Sequence, residues 1–421
     1  MKIILKGFVR RTNELLGLDY MDGKFKVLAA NYLFIMMYYT LETVFVNTLL
    51  YRITPDMSIV IHYRAVVFFS IAVASNTGAF LSKRFSPVTV IKLGGFAYIV
   101  MYLILFFGMD RMDILKDVVA VFSGIGAGFY WSGHNVLLTH YTNKRNRGIG
   151  VSILGLIQGI MTLLVPVISG FVISLMPGNT GYRVMFGIGM LTVLLQKGLQ
   201  NKLSPVEGEI HKSRLRLALK FLWRKTTCQI MLCYEFIRGI RDGVFIFFLN
   251  MVLFQIVTEE SLVGINTFLT GVMAILGSWA YGKLAGPGRR VKLALLATTI
   301  LFGGTVLLFW AMSPTMIILF SVVNSFCSLF IIYTANTYSF DVMAQNETMR
   351  HYVAELNGFR EAALSAGRIL GLCIVMLFPA TITGYIQAMC VLTLTQYVGV
   401  FMMKLVRDTL DRKQIRMSAQ Y

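Results

Sequence analysis

Charge is what this 421-residue chain has least of. Only 14% of its residues are Asp, Glu, Lys or Arg, while 56% are hydrophobic; soluble proteins average about 25% and ~45–50%. A water-soluble globule of this composition could not hide its apolar surface, so the pattern implies a polytopic membrane protein. Acid is the scarcer sign: 20 Asp and Glu stand against 39 Lys and Arg, a formal net charge of +19. Cysteine is sparse too. The five cysteines all lie in apolar stretches, where a free thiol behaves as a small hydrophobe, so neither a disulfide framework nor a metal cluster is expected. The opening MKIILKGFVRRTNELLGLDY lacks the apolar core and small-residue cleavage site of a signal peptide and suits a basic amphipathic segment on a membrane surface. No G-x-x-x-x-G-K-[ST] phosphate loop, H-E-x-x-H or G-x-S-x-G occurs, so neither ATP hydrolysis nor other enzyme chemistry is expected, and no cofactor.

What the chain does have is apolar length. A bilayer core about 30 Å thick needs roughly 20 apolar residues per helix. Twelve segments qualify: 27–50, 58–81, 89–109, 114–139, 149–176, 182–199, 228–256, 262–281, 291–312, 315–339, 361–379 and 383–404. The sixth is the weakest, with Arg183 near one end and Gln196 near the other. Basic residues collect in alternate connections, 31 of the 39, including Lys83, Arg147 and Arg290, with Arg350 and Arg360 assigned to the loop after span 10. The opposite connections hold only Arg52, Arg111, Lys116 and Arg183. The positive-inside rule makes the rich side cytoplasmic and puts both termini there, in a multi-pass protein of the cell membrane. This placement accounts for the net charge through topology and anionic lipid rather than nucleic acid.

The chain also repeats itself at an offset of 200. SKRFSPVTVIKL at 82–93 returns as GKLAGPGRRVKL at 282–293, and Glu42-Thr43-Val44-Phe45 falls on Asp242-Gly243-Val244-Phe245. Two halves in one orientation make a parallel repeat about an axis along the membrane normal. The expected fold is an all-α membrane protein, with twelve transmembrane helices in two pseudo-twofold-related six-helix bundles. Residues 27–199 and 227–405 would form the bundles and 200–226 a cytoplasmic central loop. Residues 1–26 and 406–421 would be a basic amphipathic segment and a cytoplasmic tail.

On these residues the chain resembles the major facilitator superfamily of transporters over nearly its whole length. That family carries a G-x-x-x-D-R-x-G-R-R signature between spans 2 and 3, echoed between spans 8 and 9. Here Gly78 and Lys83 match it, while Ser82 replaces the acid and Phe85 the second glycine. The second copy keeps Gly282, Lys283, Arg289 and Arg290. The resemblance makes these the gating loops, though tight positive-inside turns would need the same residue types. Gly155, Gly159, Pro166, Ser169 and Gly170 of span 5 partly match an antiporter pattern, and ordinary helix packing explains them equally well. Arg360-Glu361 through Gly367-Arg368 resemble a bacterial permease branch, the YqgE-like group.

Ionisable residues at membrane depth cost at least about 2.5–3.5 kcal/mol each by insertion scales, so those retained are functional candidates. Span 7, YEFIRGIRDGVF, places Glu235, Arg238, Arg241 and Asp242 on one helix face. A self-neutralising ladder and a cavity lining both fit. Arg241 is the candidate contact for an anionic group of the substrate or for Glu42 of span 1. Glu42 either takes up a proton or pairs with Arg64 or Arg241. Arg368 of span 11 pairs with Glu235 or meets substrate, and Glu361 sits near the interface. Span 4 offers His134 and Asn135, and span 10 Tyr333 and Asn336; the resemblance implies that spans 1, 4, 7 and 10 line the cavity.

The expected function is secondary active transport, by alternating access, of a small anionic or zwitterionic solute. Its partners are a small-molecule substrate, a proton or other coupling ion and membrane lipids, and the protein is expected to be a monomer. Flipping of a lipid or lipid-linked sugar and a non-transporting permease-like sensor are the alternatives.

Overall fold

Hydropathy alone finds only part of the helix set. Seven helical stretches among the described residues are long and apolar enough to cross a bilayer, one of them covering two helices joined end to end. The computed structural model describes residues 18–418 except 54–56, 144, 178–179, 206–214, 246–248, 250–251, 253–259, 311–312, 346 and 380. The basic amphipathic segment expected for 1–26 thus lies mostly outside the described residues.

Twelve long helices are present among them. The first six are α1 (Gly23–Ile53), α2 (Met57–Arg84), α3 (Pro87–Gly108), α4 (Met112–Tyr141), α5 (Arg147–Ser174) and α6 (Thr180–Gln200). The second six are α7 (Thr226–Phe245), α8 (Glu260–Leu284), α9 (Arg290–Trp310), α10 (Pro314–Met343), α11 (Val353–Met376) and α12 (Ile382–Ser418). Local chemistry sets several boundaries. Ser86 caps α3 by accepting from the Thr89 amide at 3.0 Å, and Ser313 caps α10 by accepting from Met316 at 3.3 Å. A proline follows each cap at the first helical position, where its missing N–H costs nothing.

Four helices, α6, α7, α8 and α11, fall outside the seven apolar stretches. In α6 the reason is visible. Gln196 donates to the Asn31 carbonyl and Oδ1 at 3.1 Å and accepts from Tyr38 at 2.9 Å. The polar residues that weaken it as a span are its buried contact with α1. In α7 and α11 the cause is a buried ion network.

The helix contacts follow a rule. α1 packs on α4, α5 and α6; α2 and α3 pack on α4; α3 packs on α6. Adding six to every number gives contacts that also occur, α7 with α10, α11 and α12, α8 and α9 with α10, and α9 with α12. Contacts between the two sets, α2 with α11 and α5 with α8, exchange under the same shift. Outward faces carry large apolar side chains such as Phe107, Trp310 and Leu377.

Three sequence expectations change. The central segment contains a helix at Leu215–Arg224, which buries Leu222 and exposes Trp223. α12 continues well past residue 404 to Ser418. α11 begins at Val353 rather than near 361, so Arg360 is a buried helical residue and not part of a loop. A window weighted by hydropathy discards the first two turns, which bear Glu355, Asn357 and Arg360, although those side chains face inward.

Candidate functional site

The site is built on the joint between α7 and α11. Each helix carries two glycines four residues apart, Gly239 and Gly243 on one, Gly367 and Gly371 on the other. A Cβ on Gly239 would strike the Leu364 carbonyl, one on Gly367 the Phe236 carbonyl, and one on Gly371 the Ile240 carbonyl. This small-xxx-small approach brings the two backbones together and puts the side chains flanking the seam in reach of one another.

Those side chains form the ion network. Glu235, fully buried, receives Arg238 at 2.6 Å, Arg360 at 2.8 Å and the Ser339 hydroxyl at 2.5 Å. Arg238 reaches Asp242 at 3.3 Å, and Arg360 reaches Glu361 at 3.2 Å. Arg360 also donates to Asn357 at 2.9 Å and Asn336 at 3.2 Å. A carboxylate taken out of water needs this density of donors to offset its lost hydration. Glu361 is buried and accepts from Asn135 of α4 at 3.3 Å, so it faces the protein interior. It ties the second six helices to the first.

Beside the network opens a cavity of about 310 Å³, at the small end of the range for organic ligands. Eight of the ten pathway candidates line it: Arg238, Arg241, Asp242 and Arg368 from α7 and α11, His134 and Asn135 from α4, and Tyr333 and Asn336 from α10. Glu42 and Glu235 do not line it. Glu235 is locked behind the wall. Glu42 is held between α1 and α2, where Oε1 accepts from Tyr63 at 2.8 Å and lies 3.9 Å from Arg64, while Oε2 has no partner among the described residues. Arg368 does not pair with Glu235; its guanidinium stands 5.2 Å over the Phe68 ring. Arg241 bonds Asn324 and lies 3.9 Å over the Phe245 ring, with its buried Nε left without a partner.

Sequence reasoning passed over several wall residues. Arg360 was hidden by its assignment to a loop. Gln158 lies on one α5 face with Val151, Leu154 and Gly155, all lining the cavity. That i, i+3, i+4, i+7 spacing was available in the sequence. Tyr32, Trp131 and His134 form a ring cluster with centroids 5.2–5.8 Å apart. Only the tertiary fold brings Tyr32 of α1 to the other two.

The loop candidates divide. Lys83 is buried against the His351 carbonyl and stands 4.0 Å from Glu355. Arg290 lies 3.5 Å from Asp341, which also pairs with Arg147. Gly78 fits against Ser132 and Gly282 against Ser152. Lys283 and Arg289 are exposed. Two of these ion pairs, Arg147–Asp341 and Lys83–Glu355, join the two helix sets at the end of the molecule where the basic connections gather.

Comparison with known proteins agrees with this architecture. A family model described as Major Facilitator Superfamily matches residues 27–372. The Bacillus subtilis protein YqgE, described as uncharacterized, is 26% identical over 313 residues, covering 71% of this chain and 70% of that protein. The human organic anion transporter MFSD10 superposes with a TM-score of 0.69 at 14% identity, covering 91% of this chain and all of the other. The E. coli fucose:proton symporter FucP gives 0.70 at 13% identity, covering 91% and 98%.

Proposed function

Because the chain belongs to the Major Facilitator Superfamily, we propose that it is a secondary transporter, which moves a small anionic or zwitterionic solute by opening the central cavity alternately to the two sides of a cell membrane. Twelve spans form two six-helix bundles, 27–199 and 227–405, related by rotation about the membrane normal. Residues 200–226 join them on the cytoplasmic side, where both termini also lie. The helix contacts that survive a shift of six support this pairing, as does the gathering of Lys and Arg in alternate connections.

The observation that carries the proposal is Arg368. It lines the cavity, yet no carboxylate among the described residues lies within 4 Å of it. A guanidinium kept at membrane depth without a partner is costly, and an anionic group on the solute supplies the missing one. The pairs Arg147–Asp341 and Lys83–Glu355 hold one end of the cavity shut. Rocking of the bundles breaks them and opens that end. Glu42 is the candidate for proton coupling, since its buried Oε2 has no donor in this conformation. FucP, a neighbour in fold, is by its description a proton symporter, and MFSD10 an organic anion transporter.

Uptake into proteoliposomes tests the proposal. A panel of labelled organic anions, amino acids and sugars is presented with and without an inward pH gradient. Counterflow that requires the protein is expected, and stimulation by the gradient is expected to vanish in Glu42→Gln. Counterflow of no panel member, by protein shown to be folded, would overturn the transporter reading. Gradient stimulation unchanged in Glu42→Gln would remove this residue from coupling and leave transport standing.

A further inference from the structure

The charges around the cavity do not balance. Four guanidiniums, Arg238, Arg241, Arg360 and Arg368, meet three carboxylates, Glu235, Asp242 and Glu361. The ion pairs use all three carboxylates on only two of the guanidiniums, Arg238 and Arg360. Arg241 and Arg368 have no ion pair among the described residues. Over these seven side chains of the described residues, one positive charge is left over.

The two leftover arginines leave the α7–α11 seam at neighbouring turns and line one cavity. The α7–α11 seam sets Gly243 against the Arg368 Cα, with 2.7 Å left for a Cβ. Arg368 therefore stands beside the turn that holds Arg241 and Asp242, a turn beyond the saturated cluster around Glu235. The two differ from the other pair in their donors. Arg241 is 3% exposed and keeps a buried Nε with no partner among the described residues. The Arg368 guanidinium lies over the Phe68 ring and has no ion pair among the described residues. In a low-dielectric cavity an unmatched charge and an unmatched N–H both raise the free energy, and one acid group relieves both.

The opposite wall has a different character. Every ionised residue that lines the cavity comes from α7 or α11, whereas α1, α2, α4 and α5 supply none. What they present is the edge-to-face cluster of Tyr32, Trp131 and His134 with Gln158 and Asn135. Ring faces and edges of this kind hold a planar apolar body.

We propose that the cavity takes one organic monoanion, with its acid group on Arg241 and Arg368 and a planar, apolar body against the Tyr32–Trp131–His134 cluster. This rests on the cavity being the transport site, and it narrows the solute to a single net negative charge. A neutral analogue leaves the excess charge standing. A dianion overshoots it by one, in a place where Asp242 and Glu361 already line the wall. A small inorganic anion satisfies the guanidiniums but leaves the ring cluster uncovered.

Three naphthalene derivatives of similar size separate these cases: naphthalene-1-sulfonate, permanently a monoanion; naphthalene-1-sulfonamide, neutral; and naphthalene-1,5-disulfonate, a dianion. Binding to the purified full chain is measured by titration calorimetry in detergent, and counterflow of the same probes in proteoliposomes. The monosulfonate is expected to bind at least about tenfold more tightly than either partner probe. Arg368→Gln is expected to abolish that preference without lowering the melting temperature, because Arg368 holds no ion pair. Arg368→Lys, which keeps the charge, is expected to retain most of it. Should Arg368→Gln fail to fold, Arg241→Lys gives the second readout, since loss of the two-nitrogen fork should weaken sulfonate binding while the charge stays.

The proposal is overturned if the monosulfonate does not bind at millimolar concentration, if the sulfonamide binds as well, if the disulfonate binds more tightly, or if Arg368→Gln leaves the order unchanged. Failure of the transport reading looks different: the monosulfonate binds in the expected order but shows no counterflow. Conversely, Arg-independent counterflow of another solute would keep transport and discard the monoanion.

Discussion

The two halves of this chain share one scaffold and divide its chemistry unequally. Glu42 of α1 and Asp242 of α7 occupy equivalent places in the repeat. Glu42 is buried behind the wall with Tyr63 and Arg64, whereas Asp242 lines the cavity and pairs with Arg238. Position 38 is a tyrosine that bonds Gln196 of α6; its counterpart at 238 is an arginine that bonds Glu235. The first half thus ties its inner helices together with neutral hydrogen bonds and a buried Glu42–Arg64 pair behind the wall, and the second half with an ion network at the cavity. A duplicated fold requires equivalent helix contacts, not equivalent side chains. One wall has become aromatic and uncharged, and the other electrostatic.

The largest expected effect breaks this contrast at its centre. Glu235→Ala removes the carboxylate that Arg238 and Arg360 share and leaves them only Asp242 and Glu361 at 3.3 and 3.2 Å; removing one partner of a buried pair costs about 3–5 kcal/mol. We expect little monodisperse protein and a large drop in melting temperature. Glu42→Ala, at the less densely bonded carboxylate of the first half, should cost less, about 1–3 kcal/mol. Equal melting losses for the two variants would erase the distinction drawn between the halves.

Next in size is the α7–α11 seam. Gly367→Val drives a branched side chain into the Phe236 carbonyl, and overpacking of this kind costs about 1–3 kcal/mol or more. Substrate binding should fall with stability, because Arg368 rides on the same turn. Smaller in free energy is the loss of the tie between the two sets in Arg147→Ala, because Asp341 keeps Arg290 at 3.5 Å. It should raise labelling of a cysteine placed at the basic end, read as the rate of maleimide modification, with little loss of folded protein. An unchanged rate would mean that this pair does not hold that end shut. The smallest effect is Gly303→Ala on α9, where nothing lies within 4 Å of the added methyl. A helix-interior glycine replaced by alanine should gain about 0.5–1 kcal/mol, measured as a modest rise in melting temperature with transport unchanged.

Much of this was legible beforehand because membrane helices announce themselves. The spans expected at 89–109 and 291–312 correspond to Pro87–Gly108 and Arg290–Trp310, since the apolar length a bilayer demands is written in consecutive residues. The Glu235–Arg238 and Arg238–Asp242 pairs were legible because i,i+3 and i,i+4 neighbours meet on any helix. Arg360 escaped because its value depends on Glu235, 125 residues away. The G-x-x-x-G pairs at 239–243 and 367–371 were visible in the sequence, but that they face each other was not.

Composition, hydrophobic length and the offset of 200 residues were sufficient for a helical membrane protein and for the expectation of two related halves, because those properties act locally or along the whole chain and need no partner. Which buried charges cancel, and that Arg241 and Arg368 are left over, depended on how α7 meets α11. An ion's cost is settled by what stands within a few ångströms of it, and only the packed helices bring those neighbours together.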